Sequence, residues 1–276
     1  MFYRWGLPLF ALLFAMGAQA LDCGGESEPC VIAGGAYHIA VPSGWQSGPA
    51  VIYLHGFGGT GAQVIRNKGF VKGFTDRGYA VIAPTALPLD GNRATDWAVR
   101  DGDSYARDDS RFLHDVLADA VTRAGVNPDQ LLLSGFSRGG SMVWEVACLT
   151  PDFALAYAPV SGGFWLPKRL DCAGPVHLLH THGFADKTVP LEGRSLNDSV
   201  TGQEYIQDDI WEGLGLWRQE NACVDAPSEV VIAEGLWRRR WGCSDGSLAL
   251  ILHKGGHGRP KDWTAMTLDW FESLDN

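Results

Sequence analysis

Short apolar runs recur along the chain at Val51 to Leu54, Tyr79 to Ala83, Leu131 to Ser134, Leu155 to Val160, Val176 to Thr181 and Leu248 to Leu252. Runs that are apolar on both alternating faces suit strands of a parallel sheet covered on both sides. Between them the period lengthens to that of a helix. From Asp109 to Ala124, the side chains Phe112, Leu113, Val116, Leu117, Ala120 and Val121 fall on one face, with Asp108 to Ser110 as cap candidates and Gly125 as the stop. Lys261 to Leu274 repeats the pattern with Trp263, Met266, Trp270 and Phe271. Alternation of strand and helix predicts an α/β fold with a mostly parallel central sheet flanked by helices on both faces. Two long stretches break the alternation, Pro84 to Arg107 and Ala185 to about Thr201. Both leave the carboxyl ends of strands, where such sheets bind ligands, and both are candidate substrate loops. No repeat, low-complexity tract or linker interrupts the pattern, so Leu21 to Asn276 is expected to form one domain.

The first twenty residues stand apart. Arg4, the apolar run Leu7 to Met16 and the small-x-small ending Ala18-Gln19-Ala20 predict a signal peptide over residues 1–20. A membrane anchor is the rival reading, and its apolar core would have to reach about 20 residues. The expected protein is secreted or periplasmic, with no stable membrane association once the leader is removed. A formal charge of -10 argues against nucleic acid or an anionic membrane as partner. Six cysteines in an exported chain favour disulfides. Of the fifteen possible pairings, the one expected here joins Cys23 with Cys30, Cys148 with Cys172, and Cys223 with Cys243.

Chemistry concentrates at Gly135-Phe136-Ser137-Arg138-Gly139, which follows the apolar run Leu131 to Ser134 and precedes a helical segment. A serine on a tight strand-to-helix turn carries its oxygen out of the sheet, and flanking glycines let that backbone and its neighbours fit. Ser137 is therefore the candidate nucleophile. Such a serine needs a base and an acid to orient it. Asp186, just beyond the strand ending at Thr181, and His257, in the glycine-rich Lys254-Gly255-Gly256-His257-Gly258, supply both in the order Ser, Asp, His. Asp208, Asp209 and Asp225 are fallback acids, the first two helical in pattern; His253 is the alternative base, at the end of a strand. Ile52-Tyr53-Leu54-His55-Gly56-Phe57-Gly58-Gly59 is a strand running into a glycine-rich loop, which predicts an oxyanion hole from the backbone NH groups of Phe57 and Arg138, with Gly58 as the alternative to Phe57. His55 is then structural.

Other residues admit competing readings. His180, His182 and Asp186 could form a small metal site, since alternate strand residues share a face, but no ligand-rich cluster or Cys-x-x-Cys accompanies them. No metal or organic cofactor is expected. Trp97 and Trp165 lie in loop-like segments and are candidates to line the substrate. Arg238-Arg239-Arg240, between Trp237 and Trp241, reads as a solvated strand near Cys243.

Together, HGFGG at His55, RDDSRFL from Arg107, GFSRGGSM at Gly135, HTHGFADKTVP at His180 and KGGHG at Lys254 resemble the secreted polyhydroxybutyrate depolymerase and feruloyl/acetylxylan esterase group of α/β hydrolases. The resemblance covers nearly all of the chain after the leader. It implies an α/β-hydrolase fold with Ser137 as nucleophile, Asp186 as acid and His257 as base. The chain departs from that group where many relatives continue with Trp-Pro-Gly after the histidine; here Gly258-Arg259-Pro260 follows. The expected activity is hydrolysis of carboxylic esters, either hydroxyalkanoate oligomers or feruloyl and acetyl esters of plant polysaccharide, through an acyl-enzyme. The alternatives are a serine peptidase of the same fold, or a non-catalytic binder of carbohydrate or aromatic groups on a hydrolase scaffold.

Overall fold

The structure is a computed structural model that describes residues 23–25, 28–88, 94–99, 105–167, 171–197 and 204–275. The leader expected over residues 1–20 lies outside the described residues. In chain order, the main sheet takes β1 (Cys30–Ile32), β2 (Gly35–Ala40), β3 (Gly48–Leu54), β4 (Ala80–Pro84), β5 (Val126–Phe136), β6 (Ala156–Val160), β7 (His177–Gly183), β8 (Glu229–Ala233), β9 (Leu236–Trp241) and β10 (Ser247–His253). Its strand order is β1-β2-β4-β3-β5-β6-β7-β10-β9-β8. The central strands from β4 to β10 are parallel, while β1 and β2 at one edge and β9 and β8 at the other pair antiparallel.

Period-two alternation places the core on both faces of this sheet. Ile52, Leu131, Leu133, Leu178, Leu250 and Leu252 point into one apolar cluster, and Val51, Leu132, Leu179 and Ile251 into the other. The first cluster is covered by α3 (Asp109–Ala124), α4 (Arg138–Leu149) and α5 (Ile210–Glu220), through Phe112, Val116, Trp144 and Trp217. The second is covered by α1 (Gly61–Arg66), α2 (Lys68–Thr75) and α6 (Trp263–Glu272), through Ile65, Phe74, Trp263 and Phe271. Helix α3 starts on Asp108, whose side chain accepts from the Arg111 NH, and ends on Gly125 in the left-handed region, both as its capping residues predict. Helix α6 is two residues shorter at each end than its apolar pattern, because Asp262 turns left-handed before it and a 3₁₀ turn follows.

The two irregular stretches are partly ordered by pairing that the apolar pattern does not foreshadow. Leu87–Pro88 forms a short hairpin with Thr95–Asp96, and Arg194–Asn197 joins Glu204–Gln207 and Trp165–Leu166 in a small antiparallel sheet. Residues 89–93, 100–104 and 198–203 lie outside the described residues. Disulfides join Cys23 to Cys30, Cys148 to Cys172 and Cys223 to Cys243. The last holds the exit of α5 against the chain leaving β9, the strand that carries Arg238 to Arg240. No helix among the described residues is long and apolar enough to cross a membrane.

Candidate active site

Ser137 stands between β5 and α4 at φ 57° and ψ -120°. A non-glycine residue there is strained and persists only where its surroundings dictate it. Here the Ser137 NH donates to the Val160 carbonyl at 2.9 Å, and its carbonyl accepts from the Ser141 NH at 2.9 Å. A Cβ on Gly135 would lie 2.5 Å from the Gly139 carbonyl oxygen, and one on Gly139 would run into the Leu54 carbonyl. The turn can close only with glycine at both positions.

The acid and base arrive on neighbouring strands. β7 and β10 pair in parallel with Gly183 opposite His253, so their following loops leave side by side. The Phe184 NH donates to the His253 carbonyl at 2.7 Å and the Ala185 NH to the Gly255 carbonyl at 3.0 Å. A Cβ on Gly183 would strike the carbonyls of Gly255 and Gly256, so the close approach of these loops needs glycine. Asp186 and His257 are 71 residues apart, yet His257 Nδ1 lies 2.8 Å from Asp186 Oδ2. The His257 ring packs 4.7 Å from that of Phe136, the residue before Ser137. Among the described residues no hydrogen bond joins Ser137 Oγ to His257; such contacts often tighten only with substrate bound.

Asp186 is buried, which pushes its carboxyl up, but hydrogen bonds from His257 and from the NH groups of Val189 and Thr188 outweigh burial and bring it down to about 2. It is thus ionised over the whole neutral range. Behind it, His180 Nε2 lies 2.9 Å from His182 Nδ1, and His182 Nε2 lies 2.8 Å from the Val189 carbonyl. That carbonyl can only accept, so His182 carries its proton on Nε2 and takes a hydrogen bond from His180 on Nδ1. Burial holds both imidazoles below the usual histidine value. The pair therefore anchors the Asp186 loop, and among the described residues no group of three or more His, Cys, Asp or Glu could hold a metal ion. Asp209 caps α5 by accepting from the NH groups of Trp211 and Glu212, and His253 Nε2 contacts the Gly258 carbonyl at 3.1 Å. Asp208 and Asp209, helical in the sequence pattern, thus stand just before α5, and His253 is tied to the residue that follows His257.

On the other side of the turn, a Cβ on Gly56 would lie 3.5 Å from the Ser137 Cβ, so the loop after β3 passes directly over the serine. The Gly58 NH is engaged by the Thr95 carbonyl at 2.9 Å, which leaves Phe57 as the better candidate donor. The Arg138 NH belongs to the first residue of α4, where helical NH groups lack an acceptor within the helix. His55 accepts from the Ala86 NH on Nε2 at 3.0 Å and donates through Nδ1 to the Gly56 carbonyl at 2.7 Å. Burial lowers it to about 4. It is a fixed strut of the loop.

The two tryptophans expected at the substrate are placed differently. Trp97 is fully buried and its indole NH donates to the His55 carbonyl at 2.8 Å, so it lies beneath the loop and presents no surface to a ligand. Trp165 is 6 % exposed and stacks under the Arg138 guanidinium, 4.1 Å from its ring centre. An unforeseen group completes this cluster: Asp96, with a side chain fully buried, pairs with Arg138 Nε at 2.7 Å. A cavity of about 560 Å³ opens beside the turn, lined by Tyr53, Phe57, Val64, Phe70, Phe136 and Arg259 among others.

No family model matches the chain. It is 29 % identical over 152 residues to a protein of Nocardia uniformis subsp. tsuyamanensis named "Putative esterase NocK", a match covering 53 % of this chain and 42 % of that protein. It is 27 % identical over 131 residues to feruloyl esterase B of Piromyces equi, covering 44 % of this chain and 23 % of the relative. The chain thus matches less than half the length of either curated relative. Among solved structures, an acetyl xylan esterase from Aspergillus awamori superposes with a TM-score of 0.63 at 15 % identity, over 86 % of this chain and 93 % of that one. The order of strands, the helices on both faces and this superposition give the chain the α/β-hydrolase fold.

Proposed function

We propose that the protein is a secreted serine esterase that hydrolyses carboxylic esters through an acyl-enzyme. The observation that carries the reading is the hydrogen-bonded Asp186–His257 pair laid against the strained turn of Ser137. The esterase names of the partial relatives and of the structural neighbour point the same way. With its Nδ1–H held in a hydrogen bond to the Asp186 carboxylate, the imidazole presents Nε2 as an acceptor. It takes the Ser137 hydroxyl proton as Oγ bonds to the ester carbonyl carbon. The resulting oxyanion is met by the NH groups of Phe57 and Arg138, a contribution of about 2.7 to 4 kcal/mol per donor. Collapse breaks the bond to the alcohol oxygen, which leaves with the proton from His257. Water repeats the sequence on the acyl-serine, returning Ser137 and releasing the acid. Every step uses protein groups and water.

Hydroxyalkanoate oligomers and the feruloyl or acetyl esters of plant polysaccharide are the proposed substrates, and Leu21 to Asn276 the proposed catalytic domain after loss of a leader. Three disulfides agree with an oxidising compartment. The test is a comparison of p-nitrophenyl butyrate, methyl ferulate and acetylated xylan with peptide anilides. Esters are expected to be turned over and anilides not; turnover of anilides with esters untouched would make the protein a peptidase.

A further inference from the structure

The cavity beside Ser137 carries a charge opposite to that of the molecule. The chain has 32 acidic and 22 basic side chains, yet among the described residues no aspartate or glutamate lines this cavity, and the charged residues that do are Arg259 and Lys261. Arg259 is held in place. Its guanidinium carbon sits 4.2 Å above the centre of the Phe70 ring and 5.5 Å from those of Tyr53 and Trp263, and Nη1 donates to the Tyr53 hydroxyl at 3.0 Å. Among the described residues no carboxylate pairs with it. A guanidinium has five NH donors in a planar fork, so one bond to a phenol leaves the fork able to grip a second, anionic partner in bidentate fashion. Stacking on aromatic faces fixes the plane of that fork and reduces the entropy lost when a ligand binds. Tyr53 adds to this. Burial raises its pKa, so it stays a neutral phenol that accepts from Arg259 and keeps its own proton to donate.

We infer that the cavity selects esters bearing a free carboxylate, with Arg259 as the residue that binds it. The inference rests on the esterase reading and deepens it. The cavity also touches Gly56, Phe136 and Gly258, the neighbours of Ser137 and His257, so a carboxylate there belongs to the molecule being cleaved. Apolar walls from Val64, Phe70 and Phe136 suit a short aliphatic spacer between that carboxylate and the scissile ester. Two chemistries present such a group: a hydroxy-acid oligomer with its acid end on the leaving alcohol, and a half-ester of a dicarboxylic acid with it on the acyl side.

Two matched pairs separate these sources. The first is a hydroxybutyrate dimer and its terminal carboxamide, and the second is mono-p-nitrophenyl glutarate and p-nitrophenyl glutaramate. The wild type is expected to favour the acid over the amide at least tenfold in kcat/KM in one pair, through KM. Arg259→Met should remove that preference, and Arg259→Lys should keep part of it. Butyrate should inhibit p-nitrophenyl butyrate hydrolysis by the wild type more strongly than butyramide does, so the inference remains testable should Arg259→Met fail to fold. Equal rates for acid and amide in both pairs, or equal inhibition by butyrate and butyramide, would overturn it while leaving the esterase reading intact. Absence of both p-nitrophenyl butyrate turnover and fluorophosphonate labelling would instead remove the esterase reading and this one with it.

Discussion

Ser137 keeps its strained conformation because its neighbours have nowhere else to go: Gly135 and Gly139 are packed against backbone carbonyls, and the residue that follows is fastened twice. Arg138 is paired with Asp96 at 2.7 Å and lies over Trp165 at 4.1 Å. A guanidinium this buried is tolerated only with its charge compensated, and removing one partner of such a pair typically costs about 3–5 kcal/mol. Asp96→Ala is therefore expected to destabilise the protein by about 3–5 kcal/mol in chemical denaturation. A loss below 0.5 kcal/mol, as for an ordinary surface change, would show that the pair does not hold the turn. Ser137, Asp186 and His257 could be singled out as candidates from the sequence because each follows an apolar run in a fixed order. Asp96 carried no such mark. Its partner is 42 positions away and nothing in the local pattern connects them. Trp97 and Trp165 misled for the related reason that a segment without an apolar period resembles surface in a sequence, although here both rings are buried.

At the scale of elements, the site depends on β7 and β10 being parallel neighbours, which makes their trailing loops run together and exchange backbone hydrogen bonds. Gly183 is the contact point. A methyl group there meets the carbonyls of Gly255 and Gly256, two residues and one residue before His257. Gly183→Ala should push the histidine loop outward, and a displacement near 1 Å can reduce turnover by about 100-fold. Ester hydrolysis measured alongside a thermal melt would check this: activity should fall far more than stability, and a variant with normal kcat would contradict the loop-contact account. The central strands were legible from their two-sided apolar runs, and α3 from its face and caps. The edges were not. β1, β2 and β8 are short or exposed on one side, and α1 and α2 are six and eight residues long, too brief for a periodic pattern to stand out.

Across the whole molecule, the same burial that fixes the site makes the fold sensitive to acid. His55, His180 and His182 are all held below the usual histidine value, chiefly by burial, His55 at about 4. Below pH about 6.5 the unfolded chain takes up protons that the folded one refuses, so stability is lost progressively as the pH falls toward 4. His55 alone accounts for roughly 3 kcal/mol across that window. Asp186 acts lower still: its carboxylate contributes stability above about pH 4 that disappears as the pH falls through 2. Melting temperatures measured from pH 7.5 to 4.5 should drop steadily, with a shallower slope in His55→Gln; a flat profile would contradict the burial of neutral imidazoles. The most direct test of the catalytic assignment is covalent. After reaction with a fluorophosphonate, mass spectrometry should find one adduct on the peptide holding Ser137, with p-nitrophenyl butyrate hydrolysis lost in proportion and Ser137→Ala neither labelled nor active. Persistent hydrolysis by fully labelled protein, or an adduct on a different residue that accounts for the lost activity, would contradict it.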